Sequence, residues 1–151
     1  MEPIVQITTS EAETTCLGTR IGSCLKAGDV VLLTGDLGAG KTHFTGGIAR
    51  SMGISDYITS PTFTVVNEYE GGSLPLIHFD IYRLGSYDEL FEIGFEDYLE
   101  RGGVCVIEWA DLIPEIEEQA ARIFKVDIRR MDDVSPTQRE ITIVLPEGER
   151  L

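Results

Sequence analysis

Gly35-Asp36-Leu37-Gly38-Ala39-Gly40-Lys41-Thr42 decides how the rest of this chain is read, because it satisfies the G-x-x-x-x-G-K-T phosphate-loop pattern at every fixed position. Glycines at that spacing, with Gly38 between them, let the backbone turn with several N–H groups directed inward, where they donate to nucleotide phosphate oxygens. Lys41 brings a compact ammonium to the β- and γ-phosphates, and the Thr42 hydroxyl is a ligand for the Mg²⁺ that bridges them. Such a loop needs a buried strand before it and a helix after it. Val30-Val31-Leu32-Leu33-Thr34 and the stretch from His43 to Met52, closed by Gly53, fit those two places. A nucleoside triphosphate site is therefore favoured over a glycine-rich turn that binds nothing.

Upstream, Ile4 to Thr8 alternates as a short strand, and Ser10 stands as an N-cap ahead of Glu11 and Glu13. A helix to about Ala27 follows, with Cys16-Leu17, Ile21 and Cys24-Leu25 on one face. Downstream, Gly46-Gly47 lies inside the helix after the loop at a cost of about 1 kcal/mol per glycine, which predicts a close packing contact or ordering by phosphate. Ser60-Pro61-Thr62-Phe63-Thr64 groups three hydroxyls around a proline, either as a loop that senses the γ-phosphate or as a polar strand entry. Phe63 to Glu70 and Leu74 to Asp80 flank Gly71-Gly72-Ser73 as a hairpin. Ser86 then caps a helix over Tyr87 to Ile93, and Phe95 to Glu100 reads as a second. Val104 to Trp109 is a continuous apolar strand running into Glu108. A short acidic helix after Ile113-Pro114 and two strands, about Ala121 to Arg129 and Glu140 to Leu145, complete the chain.

This order predicts an α/β fold: a P-loop NTPase-like three-layer sandwich whose mixed, mostly parallel central sheet carries antiparallel hairpin additions, in a single domain over residues 1–151. Hydrophobic residues at 42% and charged residues at 25% are ordinary globular values, so neither disorder nor a membrane class is indicated. The net charge of −14 repels phosphate backbones, which argues against unaided nucleic-acid binding. Three cysteines without a C-x-x-C pair fit reduced core thiols in a cytoplasmic protein rather than a metal cluster.

A P-loop enzyme needs a carboxylate at the end of a neighbouring strand, and Glu108 and Asp80 both qualify. Glu108 ends the more hydrophobic strand and is favoured for Mg²⁺. Asp80 then serves from a second layer or orients the attacking water, and the reverse division stays open. Arg83 reads more readily as an ion-pair partner than as a catalytic cation, and His43 and His78, lacking ligand spacing, as packed or solvated. Trp109, beside Glu108, should lie near bound phosphate and report on it.

The phosphate loop, Ser60-Pro61-Thr62-Phe63-Thr64, His78-Phe79-Asp80-Ile81-Tyr82-Arg83-Leu84 and Ile107-Glu108-Trp109, in this order, resemble the TsaE (YjeE) family from about Thr8 to Leu145. The resemblance implies a small bacterial ATPase required for threonylcarbamoyladenosine on tRNA, at the adenosine beside the anticodon. It implies ATP or ADP with Mg²⁺ as cofactors, the TsaD and TsaB proteins as partners, tRNA met only indirectly, and hydrolysis that resets the transferase complex. Carried over, Asp36, Leu37, Gly38, Ala39, Gly40, Lys41, Thr42 and His43 bind the nucleotide, Lys41 holds phosphate, and Thr42 and Glu108 hold Mg²⁺. Asp80 and the Pro61-Thr62-Phe63 loop match positions tied to hydrolysis and switching, Trp109 adjoins the nucleotide, and Glu11 with Arg129 or Arg130 lies toward the adenine. His43 and Gly46 depart from the pattern, since many relatives carry threonine and a basic residue there. Self-association stays open, as do a small-molecule kinase, for which no arginine-rich lid is evident, and a nucleotide-gated binding module with incidental hydrolysis.

Overall fold

The computed structural model describes residues 2–36 and 38–151. Val30 to Leu33 are buried on both sides, as a central parallel strand requires, and β2 (Val30–Gly35) is the middle strand of a seven-stranded sheet. β6 (Ile123–Arg130) and β5 (Val104–Glu108) flank it in parallel, and β4 (Leu76–Asp80) follows β5, also parallel. Antiparallel strands extend both edges: β7 (Arg139–Val144) and then β1 (Ile4–Thr8) beyond β6, and β3 (Val66–Tyr69) beyond β4.

The two-residue period sorts the core into two layers. Val31, Leu33, Leu76, Val104 and Val106 face α1 (Glu11–Gly22) and α2 (Lys41–Ser51), with Leu17, Ile21, Phe44 and Ile48 packed on them. Val30, Leu32, Ile77, Phe79, Cys105 and Ile107 face the opposite layer, where α3 (Tyr87–Glu92) and α4 (Phe95–Glu100) contribute Leu90 and Phe95. The expected α/β sandwich, with its mixed sheet and helices on both faces, is thus the observed architecture.

Local chemistry explains where elements begin and end. The Ser10 hydroxyl accepts from the Glu13 N–H at 3.1 Å, and the Glu13 carboxylate accepts from the Thr9 N–H at 3.0 Å, so α1 starts where expected. It stops at Gly22, short of Ala27, because the Lys26 N–H is taken by the Asp29 carboxylate at 2.7 Å and Gly28, at φ 85°, turns the chain into β2. Asp29 also receives the Arg122 guanidinium at 3.0 Å, which ties the start of β2 to that of β6. Of the glycine pair in α2, Gly47 carries the close contact: a Cβ there would lie 2.0 Å from the Thr15 carbonyl oxygen of α1, whereas Gly46 faces open space. β3 begins later than Phe63 because the Val65 N–H closes a turn on the Pro61 carbonyl at 2.8 Å, with Val65 at φ 70°. The acidic stretch Pro114–Glu118 is a 3-10 turn rather than an α-helix. No helix among the described residues is long and apolar enough to cross a membrane.

Candidate nucleotide site

The glycine loop joins the end of β2 to the start of α2, and its backbone needs glycine at three places. Gly35, Gly38 and Gly40 have φ of 149°, 78° and 106°, a region that L side chains rarely adopt. Gly40 is the N-cap of α2, so no side chain covers the first amides of that helix, and its positive dipole end opens on the loop. Arg139, at the start of β7, donates to the Ala39 carbonyl at 2.7 Å and to the Gly38 carbonyl at 3.3 Å. Arg139 thus fixes the Gly38 and Ala39 carbonyls, while the Ala39 N–H closes a turn on the Asp36 carbonyl at 3.0 Å. Leu37, named with this loop above, lies outside the described residues.

The parallel register sets Asp80 of β4 directly beside Glu108 of β5, both at strand ends and both on the face that carries α2. Lys41, on the first turn of α2, donates to the Gly35 carbonyl at 2.8 Å and lies 3.5 Å from Glu108 Oε1. The same ammonium sits 4.4 Å from the centre of the Trp109 ring, a cation–π contact. Trp109 adopts φ 64°, an unusual conformation for a large side chain, and its ring meets that of Tyr82 at 5.0 Å. Glu108 Oε2 lies 2.6 Å from His78 Nε2. Asp80 Oδ1 accepts from the Tyr82 N–H at 3.1 Å, and the Asp80 N–H donates to the Val65 carbonyl at 2.8 Å. That last bond ties the Ser60–Thr64 segment to the Asp80 backbone.

Lys41, Asp80, Tyr82, Glu108 and Trp109 line one open cavity of about 660 Å³. It gathers Glu11, Gly38, Ala39, Gly40, Lys41, Thr42, His43, Thr62, Asp80, Glu108 and Trp109, all named from the sequence. Asp36 and Arg130 are not among its lining residues: Arg130 sits beside the loop, close to Gly38, with its guanidinium on Asp132 at 3.1 Å, and Arg129 pairs with Glu140 at 2.9 Å. Arg83 stacks over the exposed Phe63 ring at 5.0 Å instead of pairing with a carboxylate. His43 lies on the surface, 3.5 Å from Glu11. Sequence reasoning missed Thr14, Tyr82, Thr137 and Arg139, which also line the cavity. Tyr82 stood inside a quoted motif, two residues past Asp80, so the two-residue spacing was a usable signal. Arg139 lies a hundred residues from the loop it holds, and no local pattern marks it.

Comparison with known proteins bears on the family. The family model described as threonylcarbamoyl adenosine biosynthesis protein TsaE matches residues 8–141. The protein named tRNA threonylcarbamoyladenosine biosynthesis protein TsaE from Bacillus subtilis is 43% identical over 135 residues, covering 89% of this chain and 81% of that protein. Its namesake from Treponema pallidum is 41% identical over 138 residues, covering 91% and 97%. The crystal structure of Bacillus subtilis YdiB superposes with a TM-score of 0.74 at 36% identity, covering 97% of this chain and 88% of that one. With the glycine loop, both strand-end carboxylates and the Ser60–Thr64 segment all inside the matched range, the chain belongs to the TsaE family.

Proposed function

We propose that this chain binds ATP with Mg²⁺ in the cavity above and hydrolyses it, and that hydrolysis resets a TsaD–TsaB transferase complex between rounds of tRNA threonylcarbamoyladenosine synthesis. The observation that carries the reading is convergence: loop glycines, Lys41, Thr42 and two buried strand-end carboxylates meet in one cavity although they come from three separate parts of the chain. The family names support the pathway, and the donor set supports the chemistry.

The residues fit a magnesium nucleotide. A loop whose glycines adopt positive φ, together with the open end of α2, offers a cradle for phosphate oxygens. Lys41 neutralises charge on them, held in place by Gly35 and by the Trp109 ring. Thr42 and Glu108 are the oxygen ligands that would hold Mg²⁺, which supplies charge neutralisation at the transferred phosphoryl group. Asp80 orients the attacking water and receives its proton, and its link to Val65 carries the state of the Ser60–Thr64 segment to that water. The acidic surface suits a basic protein partner more than tRNA itself.

Reconstitution tests this directly. With TsaD, TsaB, tRNA and the threonylcarbamoyl donor present, wild type should support many turnovers per complex and Lys41→Ala about one. Equal multiple-turnover yields with wild type, with Lys41→Ala and with no added chain would sink the assignment. An Asp80→Ala variant that binds ATP yet still supports repeated modification would point instead to a nucleotide-gated binding module.

A further inference from the structure

His78 is a fully buried, ionisable residue that the site chemistry has not used. It has no exposed surface and does not line the cavity, so neither nucleotide nor water reaches it. Its neighbours on the same sheet face are Leu76 and Asp80 on its own strand, Val106 opposite it on β5 and Asn67 opposite it on β3. Its Nδ1 is buried with no partner among the described residues. An orphaned ring nitrogen of this kind costs free energy that a leucine would not, so packing alone does not account for a histidine here.

The geometry points to His78 as the positioning residue for Glu108. The inference rests on the reading of Glu108 as the carboxylate that holds Mg²⁺. The register pairs His78 with Val106 and Asp80 with Glu108, so the imidazole lies one diagonal step behind the Glu108 side chain on the same face. Nε2 stands 2.6 Å from Oε2, the length of a strong hydrogen bond to a charged group. An ionised carboxylate only accepts, so the ring proton sits on Nε2, a tautomer assigned from this network. With Oε2 held from behind by His78, the other oxygen, Oε1, is turned toward Lys41 and the cavity. Ligand carboxylates are commonly fixed in this way by a partner that never touches the metal, and loss of such a partner costs about ten- to a hundredfold in metal affinity or activity.

Wild type, His78→Leu and His78→Gln decide the matter, because a glutamine Nε2 stands close to where the imidazole Nε2 stood. Thermal melts first establish that both variants are folded. The chain has two histidines, so a long-range ¹H–¹⁵N spectrum of wild type separates buried His78 from surface His43. The expected signal is an Nε2–H tautomer whose ring proton exchanges slowly; an Nδ1–H tautomer overturns the proposal. In steady-state ATP hydrolysis, His78→Leu should lose about ten- to a hundredfold in kcat with KM changed by less than about twofold. It should also need several-fold more Mg²⁺ for the half-maximal Trp109 fluorescence response to ADP, and His78→Gln should regain most of both losses. Equal kcat in wild type and His78→Leu, or a glutamine variant no better than leucine at equal melting temperature, overturns the positioning role. Failure of wild type to hydrolyse ATP would count against the proposed function instead, and the histidine spectrum would still decide what His78 does.

Discussion

Glu108 joins three groups that would otherwise be unrelated: the ammonium of α2, the imidazole of β4 and the cavity. Glu108→Gln keeps its shape and removes its charge, so phosphate release under saturating ATP should fall about a hundredfold or more while ADP binding, read by Trp109 fluorescence, survives. A second residue-scale prediction concerns the thiols. Burial pushes the Cys105 thiol up to about 12, whereas Cys16 is exposed. Iodoacetamide should therefore label exposed Cys16 in the folded protein and leave Cys105 unlabelled even at pH 9 until the protein is unfolded, as mass spectrometry of the peptides would show. Val65 offers a third. A β-branched residue at φ 70° stores about 1–3 kcal/mol, so Val65→Gly should leave the unfolding free energy within about 1 kcal/mol of wild type, despite the entropy that glycine adds to the unfolded chain. A denaturant titration that found a loss above about 2 kcal/mol would show that Val65 is not strained.

At the scale of elements, the α1–α2 pair turns on single methyl groups. A Cβ at Gly47 would meet the Thr15 carbonyl at 2.0 Å and one at Gly18 the Phe44 carbonyl at 2.2 Å, so the two helices touch backbone to backbone. Gly47→Ala should cost about 2 kcal/mol or more, because α1 must move away, whereas Gly46→Ala should add about 0.5–1 kcal/mol through helix propensity alone. Paired thermal melts read both, and the contrast matters more than either value. The sequence anticipated a contact at this pair without saying which glycine makes it, since spacing along one helix does not reveal which face its neighbour covers. Elements were most legible where one local signal dominated: the unbroken apolar runs of β2 and β5, and the Ser10 cap. They were least legible at ends fixed by distant or irregular contacts. The stop of α1 at Gly22 depends on the Asp29 side chain, and the late start of β3 depends on the turn closed by Val65.

For the molecule as a whole, the candidate site was legible wherever it follows from a motif and illegible wherever it follows from topology. The phosphate loop and both carboxylates carry their chemistry in the residue type and its place after an apolar run. Arg139 and His78 carry none that can be seen locally: one acts because β7 crosses behind the loop, the other because β4 lies beside β5 in a particular register. The surplus of 26 acidic over 12 basic residues acts at this scale too. Association with the proposed TsaD–TsaB partner should slow several-fold as salt rises from about 0.05 to 0.3 M, with dissociation changing less, in a stopped-flow mixing experiment. A rate independent of salt would remove charge from the docking step.

The pairing of Asp80 with Glu108 across two parallel strands fixes one more property. Strands in a sheet lie about 4.8 Å apart, and the hydrogen-bond ladder holds that spacing, so the backbone has no latitude to bring the two carboxyl groups closer or to spread them. Their difference in reach comes entirely from side-chain length, one methylene, or about 1.5 Å. The strand ends thus work as a fixed rule on which the chain has marked two lengths, a short arm folded back onto Tyr82 and a long arm extended to Lys41. Exchanging the two residue types would preserve composition, charge and ladder, and would still misplace both carboxylates.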